Sequence, residues 1–342
     1  MPALNHFGLD IGTHSIKAVQ FSGSAERPVF VTAGQVKTPL KGPNTSSDKQ
    51  VSEVVLAIKS LYKEAHISTN KVITALPESQ IFTRVVEMPN LNQEELKKAI
   101  SWEAEQYVPI PINEVRLDWQ ILGDSTTAGK VEVLLVAAPI NLVNYYLNVL
   151  KGVGLVPVSV ETEITAVARA LVQRVEGAPV TMVISIGAST TDLSIVKGSR
   201  ISFTRSIGTG GLALARGVAQ ELGFETDQAI EYMKTYGLDP TSLEGKVMQA
   251  IKPVFDIIVN EIKRSLAYYS NRHPESAVKR VVVTGGTAKL PGLVVYLAEA
   301  LGLEVQIGDP WEGISMPSNI AKKLEEDATS YAVAVGLALK QL

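Results

Sequence analysis

Residues 7–21 and 29–37 are rich in apolar and β-branched side chains, and Gly23-Ser24-Ala25-Glu26-Arg27-Pro28 separates them. That pattern predicts two strands joined by a turn. Residues 40–49, Leu-Lys-Gly-Pro-Asn-Thr-Ser-Ser-Asp-Lys, have the most loop-like composition in the chain. From Val51 to Ala65 apolar side chains fall at 51, 54, 55, 58, 61 and 62, the stripe of an amphipathic helix. The stretch 72–158 then reads as a unit of its own. Residues 72–77 and 81–89 predict strands. Asn92, with Glu95 three residues on, forms the capping box of a helix that runs to about Tyr107, where Val-Pro-Ile-Pro-Ile stops it. Strands follow near 115–122 and 131–138, then a helix at 140–151 ended by Gly152 and Gly154, a compact α+β order. From Glu161 the pattern turns helical and leads into a strand pair over 180–196, a strand at 200–205, and helices over 209–222, 225–236 and 241–272. Val281-Val282-Val283-Thr284 is a buried-type strand ending at Gly285-Gly286, and a last helix covers about 329–341. Strand, glycine turn and helix alternate through both halves, which makes the fold class α/β.

One stretch occurs twice. Phe7 to Lys17, with Asp10-Ile11-Gly12 at its centre, returns in altered form as Val183 to Asp192, with Ser185-Ile186-Gly187. Each copy predicts a β-hairpin with a tight glycine turn. A single such turn signals a conformational need more than a function. Two of them facing each other can grip one phosphate chain from both sides. Backbone N–H groups and hydroxyls around Gly12, Thr13, His14 and Ser15, and around Gly187, Ala188, Ser189 and Thr190, would wrap its oxygens. Asp10 is placed to hold Mg²⁺ through water, and Lys17 to reach a terminal phosphate. A third glycine corner, Thr284 to Gly292, follows a buried strand and opens a helix. Gly285, Gly286 and Thr287 there let a base or a phosphate approach the backbone.

Composition narrows the field. With 342 residues, 46% hydrophobic and 20% charged, the chain suits two or more lobes with sizeable cores. A net charge of −3 without blocks of like charge gives no support for nucleic-acid binding. The absence of cysteine excludes disulfides and thiolate metal sites. His6, His14, His66 and His273 lack ligand spacing. No apolar run approaches the ~20 residues of a membrane span, and no signal-peptide pattern opens the chain. A soluble, cytoplasmic protein without direct membrane insertion is the expectation.

Residues 281–293, Val-Val-Val-Thr-Gly-Gly-Thr-Ala-Lys-Leu-Pro-Gly-Leu, resemble the adenosine-binding stretch of actin, FtsA and the heat-shock chaperones. Together with the hairpins and residues 261–266 they cover the nucleotide-binding signature of that superfamily. The resemblance implies the actin-like ATPase fold, two duplicated ribonuclease-H-like lobes that bind ATP with Mg²⁺. It also implies that Lys263 and Arg264 frame adenine and ribose, that Gly210-Gly211 approaches the nucleoside, and that Lys289 belongs to the adenosine stretch.

Residues 76–122, above all 84–89 and 95–111, resemble the PilM family of type IV pilus assembly proteins, and residues 331–342 resemble its C-terminal helix. That likeness implies a first lobe from 1–71 with 159–178, an inserted FtsA/PilM-type α+β subdomain at 72–158, and a second lobe at 179–342 whose last helix, 329–342, packs back on the first. It implies an ATP-binding adaptor of the inner-membrane assembly platform of a type IV pilus or related secretion machine. Such an adaptor binds the cytoplasmic N-terminal peptide of a PilN-like inner-membrane protein beside the insertion, and couples it to the motor. Motor ATPases, the platform protein and self-association are further implied contacts, with localisation peripheral to the inner membrane through partners. Trp102, Tyr107, Val108 and Ile110 are apolar candidates for the groove, although Trp102 is expected to pack inside the subdomain beside Leu96 and Ile100.

In the second hairpin Ser185 stands where the superfamily carries an acid, and Asp192 is expected to be structural. Glu161 matches the position of a water-polarising Gln or Glu. It reads equally as a carboxylate favoured at a helix start, and Glu163 is a weaker version of the same candidate. Slow or absent hydrolysis follows. Two alternatives stay open. A sugar or small-acid kinase needs a general-base Asp that no motif supplies, and an FtsA-like filament former would carry a membrane-binding tail that has no counterpart here.

Overall fold

The computed structural model describes residues 3–39, 48–125, 127–172, 179–198 and 200–342. Apart from its last two residues, the loop expected over 40–49 lies outside them, as does 173–178. The chain begins with β1 (Phe7–Ile11), β2 (Ser15–Ser24) and β3 (Arg27–Lys37), followed by α1 (Asp48–Glu64) and β4 (Lys71–Leu76). The glycine-containing linker expected at 23–28 shrinks to a two-residue turn, because β2 and β3 continue their pairing out to Ser24 and Arg27. Next come β5 (Phe82–Pro89), α2 (Gln93–Glu105), β6 (Val115–Asp124), β7 (Lys130–Pro139), α3 (Ile140–Val153), β8 (Val156–Thr162) and α4 (Glu163–Leu171). The remainder is β9 (Thr181–Ile186), β10 (Thr191–Lys197), β11 (Arg200–Ile207), α5 (Gly211–Leu222), α6 (Thr226–Tyr236), α7 (Lys246–Arg272), β12 (Arg280–Thr284), α8 (Leu293–Leu301), β13 (Glu304–Ile307), α9 (Ser318–Glu325) and α10 (Ala332–Ala338).

Two five-stranded sheets have the same plan. The first runs β3-β2-β1-β4-β8 and the second β11-β10-β9-β12-β13. In each, a hairpin and its following strand pair antiparallel, and the remaining two strands join parallel beside the first strand of the hairpin. The repeat seen in the sequence is thus a repeat of topology. Phe7, Leu9 and Ile16 pack against Ile58 and Leu61 of α1 and Tyr146 of α3 in the first core. Met182, Ile184 and Leu193 pack against Phe255, Ile258 and Ile262 of α7 in the second. Full burial of each such side chain is worth about 1.5–3 kcal/mol.

The last helix belongs to the first lobe. Ala334, Val335 and Ala338 of α10 pack on Val19 and Phe21 of β2, and α10 crosses α4 with almost no space between them. A Cβ added to Gly336 would fall 1.8 Å from the carbonyl oxygen of Ala166, so only glycine allows the two backbones to approach this closely.

A third, three-stranded antiparallel sheet, β5-β7-β6, leaves the first lobe after β4 and returns through α3. The α2 stripe Leu96, Ile100 and Ala104 buries one of its faces together with Val86, Met88, Val131 and Val133. Asn92 caps α2 as the sequence suggested, with its side chain accepting from Glu94 and Glu95 N–H and Glu95 reaching back to the Asn92 N–H. Glu87 and Glu132 are cross-strand partners, and by strand alternation they point from the other face. That face meets the second lobe at the end of α7, where Arg272 lies 3.5 Å from Glu87 and His273 Nε2 lies 3.9 Å from Glu132. The Thr204 hydroxyl on β11 also donates to the Thr83 carbonyl at 3.2 Å. The insertion is therefore covalently part of the first lobe and packed against the second. Among the described residues no helix is long and apolar enough to cross a membrane.

Candidate functional site

The β1–β2 and β9–β10 turns meet across the gap between the lobes, where the Ser189 hydroxyl donates to Thr13 Oγ1 at 3.2 Å. In the first hairpin Asp10 pairs across the strands with Lys17, and in the second Ser185 pairs with Asp192. Each cross-strand partner follows its turn glycine, Gly12 or Gly187, by five residues. The acid of the second copy has thus moved from the first strand of the hairpin to the second, to the place that Lys17 holds in the first.

Lys17 is 6% exposed; its Nζ donates to Ser15 Oγ at 2.5 Å and lies 5.9 Å from the Tyr331 ring centroid. Burial lowers the Lys17 pKa, while Asp10 and Asp327 oppose that shift. Burial raises the Asp10 carboxyl to about 6 even with Lys17 beside it. Burial also raises Asp192 to about 6, against the hydroxyls of Ser206 at 2.5 Å and Thr190 at 3.3 Å, which hydrogen-bond to it. Glu163, the first residue of α4, is pushed well above the ordinary carboxylate range by burial and then by Asp192 and Asp10. A cavity of about 10 Å³, room for roughly one water, is lined by Glu163, Ser185, Asp192 and Ser194 among others. Among the described residues no three His, Cys, Asp or Glu side chains converge to hold a metal ion.

The structure places Glu161 on a strand and not at a helix start. β8 continues through it to Thr162, whose side chain accepts from the Thr165 N–H and so starts α4 one residue later. The Glu161 carboxylate is taken up by Arg169 at 2.6 and 2.9 Å and by Lys340 at 2.9 Å. Burial would raise its pKa, but these cations outweigh it and the net shift is downward. Asp192 and Asp10 act instead on Glu163, two residues further on.

The third corner joins the same region. The Thr287 N–H donates to the Ile186 carbonyl, and the Gly285 N–H to the Thr329 carbonyl. Gly285 has φ +91° and backs onto Ile186, where a Cβ would lie 2.5 Å from the carbonyl oxygen. Gly286 is exposed, with nothing within 4 Å of where a Cβ would be, and is the glycine of the pair with open space beside it. Gly210 and Gly211 support the second turn, with the Gly211 and Leu212 N–H groups donating to the Gly187 and Ala188 carbonyls. Lys289 donates to the Glu325 carbonyl. Arg264 pairs with Glu261 at 2.6 Å, and Arg205 pairs with the same carboxylate at 2.5 Å. Lys263 is exposed on the same helix. His14 is exposed on the first turn, and its pKa is lowered by partial burial and by Lys17, Lys234 and Lys37. Lys37 and Lys234 add positive charge from both lobes, and no motif marked them. Trp102, expected inside the insertion, is 76% exposed.

Two lobes with the same sheet plan, closed over paired glycine hairpins and a third glycine corner, define the actin-like ATPase fold. Solved structures share it: MreB 5 of Spiroplasma citri bound to AMPPNP has 13% identity and a TM-score of 0.55, covering 97% of this chain and 94% of that one. The ethanolamine utilization protein EutJ from Carboxydothermus hydrogenoformans has 18% identity and a TM-score of 0.57, covering 99% of this chain and 90% of that one. Residues 8–342 match the family model of the type IV pilus assembly protein PilM, and the chain belongs to that family. A structure of a PilM-PilN type IV pilus biogenesis complex superimposes with a TM-score of 0.86 at 28% identity, covering 99% of this chain and 98% of that one. The cell division protein FtsA of Neisseria meningitidis serogroup B is 26% identical over 157 residues, which is 38% of this chain and 36% of the length of FtsA.

Proposed function

We propose that this protein is a nucleotide-responsive adaptor of type IV pilus assembly. In this reading it holds ATP with Mg²⁺ between its two hairpins and a cytoplasmic segment of a PilN-like inner-membrane protein beside the insertion. It would be peripheral to the inner membrane through that partner. The observation that carries the reading is the convergence of both glycine turns, buried Lys17 and open Gly286 on one gap between lobes, in a chain of the PilM family.

The donor set fits a nucleoside triphosphate. Backbone N–H groups and hydroxyls of Thr13, Ser15, Ser189 and Thr190 would surround the phosphates, Lys17 would supply a cation with few competing partners, and Gly286 leaves room for the nucleoside. Lys37 and Lys234 add positive charge beside His14 at the mouth. Asp10 would hold Mg²⁺ through water while the phosphates supply inner ligands. Hydrolysis is slow in this reading: burial, Asp192 and Asp10 push Glu163 above the ordinary carboxylate range, which disfavours the ionised form that a base toward water needs. The nucleotide then acts by favouring one lobe arrangement, to the extent of its differential affinity. The boundaries 72–158 mark the unit that would present the partner.

Titration with a fluorescent ATP analogue, with and without Mg²⁺, tests the first half. Co-purification with the cytoplasmic segment of a PilN-like protein tests the second. Binding of neither by the folded wild-type chain would defeat the proposal.

A further inference from the structure

The corner that ends β12 is held by a residue more than forty positions further along the chain. β12 stops at Thr284, and Gly285 turns away with φ +91°, so its N–H and carbonyl fall outside the sheet. Backbone groups withdrawn from water need other partners, and Thr329 supplies them. This residue sits in the single turn (Ala328–Tyr331) between α9 and α10 and is 3% exposed. Its carbonyl accepts from the Gly285 N–H at 3.1 Å and from the Thr284 hydroxyl at 2.9 Å. Its own hydroxyl donates to the Gly285 carbonyl at 2.9 Å. One threonine thus grips both polar groups of Gly285, and the next residue, Gly286, is the one with open space beside it.

The turn that carries Thr329 is anchored on both lobes. Before it, the Glu325 carbonyl accepts from Lys289 of the second lobe, and Asp327 accepts from the Gln35 side chain of β3 in the first lobe at 2.7 Å. After it, Tyr331 is buried in one cluster with Val19 and Phe21 of β2, and Lys17 Nζ lies 5.9 Å from its ring centroid. Residues 325–331 therefore reach from the third glycine corner to the buried lysine of the first hairpin.

We infer that Thr329 is a positioning residue for the nucleoside: it fixes the Thr284-Gly285 corner so that Gly286 meets base or ribose in one conformation, in register with phosphates held at the first hairpin. This deepens the adaptor reading and rests on it, since it concerns the same ATP. Thr329 acts through the backbone of Gly285 and not by touching the ligand. Two successive glycines make the least constrained of backbones, and ordering a loose Gly285-Gly286 corner at each binding event would cost affinity. The threonine hydroxyl sets the corner beforehand. Its loss leaves the fold supported, because the Gly285 carbonyl also accepts from the Ala288 N–H at 3.2 Å and the Thr329 carbonyl keeps both its donors.

The test uses the full chain as wild type, Thr329→Val and Thr329→Ser. Affinities for ATP and for inorganic tripolyphosphate, each with Mg²⁺, are measured by calorimetry, and hydrogen exchange at Gly285 and Gly286 is followed without ligand. Thr329→Val keeps the shape and deletes the hydroxyl. It should weaken ATP binding about fivefold, the worth of one ordinary hydrogen bond, while tripolyphosphate changes by less than about twofold. Exchange at the two glycines should quicken. Thr329→Ser should match the wild type in every measurement. Unchanged ATP affinity or unchanged exchange in Thr329→Val overturns the assignment. So does an equal loss in Thr329→Ser, which would credit the methyl group, or a parallel loss for tripolyphosphate, which would mean general loosening of the site. If the wild type binds no ATP, the adaptor reading fails and the nucleoside role goes with it; if it binds ATP and Thr329→Val binds equally, only the role of Thr329 fails.

Discussion

The two hairpins share a strand order and a glycine turn, yet they handle charge in opposite ways. In the first, Asp10 and Lys17 lie opposite each other and each limits the other's shift. In the second, Ser185 stands opposite Asp192, and the acid is met only by the hydroxyls of Ser206 and Thr190 while facing Glu163. The first copy is thus a pair of opposite charges that offset each other. In the second, no cation stands opposite the acid, and burial raises it. Duplication supplied two equivalent scaffolds, and the exchange of residue types between equivalent positions gave them different work.

The largest effect expected from probing this comparison comes from the support beneath the second turn. A Cβ at Gly210 would lie 2.7–2.8 Å from Gly187 O, Ala188 O and Thr190 N. Gly210→Ala should therefore cost about 3 kcal/mol in urea denaturation. In the first hairpin Gly12→Ala, at the counterpart of Gly187 and not of Gly210, meets only the Ser15 carbonyl oxygen within 3 Å and should cost clearly less. Equal losses would show that the two turns are not differently supported. Next, Lys17→Met should weaken ATP-analogue binding about 30-fold, or about 2 kcal/mol, and Asp192→Asn should change affinity far less; the reverse ranking would break the assignment of roles.

Asp192→Asn also has a pH signature. The folded-state pKa of about 6 exceeds the ordinary 3.8, so the wild type is most stable below about pH 4 and loses stability as pH climbs to about 6. The variant should lack that loss and gain ~3 kcal/mol at pH 7 by chemical denaturation. An unchanged stability–pH curve would mean that Asp192 is not strained. Smallest of all, Trp102→Ala should change stability by under about 0.5 kcal/mol, because the side chain is exposed. A larger loss by thermal melting would show that α2 needs it.

Much of this was readable from residue order. The x-Ile-Gly repeat located both hairpins, and Asn92 with Glu95 located the start of α2. Trp102 was readable too: Leu96, Ile100 and Ala104 recur at four-residue steps, and at 100° per residue position 102 falls on the far side of that stripe. Glu161 was harder. Two glutamates two residues apart flank Thr162, and which of them faces the cleft depends on where the strand yields to the helix. That boundary is set by the Thr162 cap and by Arg169 and Lys340, and Lys340 is distant in the sequence. The support given by Gly210, and the engagement of Lys289 and Arg264 with Glu325 and Glu261, are tertiary facts that no local spacing encodes.

The close crossing of α10 and α4 at Gly336 bears on how the molecule is made. The strands that α10 covers stand early in the chain, and the helix that seals them is translated only after both sheets. Until it arrives, Val19, Phe21 and the adjoining face of α4 lack this cover, so the first lobe cannot finish folding before α10 is made. A chain interrupted before Gly336 would display that greasy surface to chaperones and proteases, which gives the cell a simple way to discard incomplete copies before they compete for a place in the assembly.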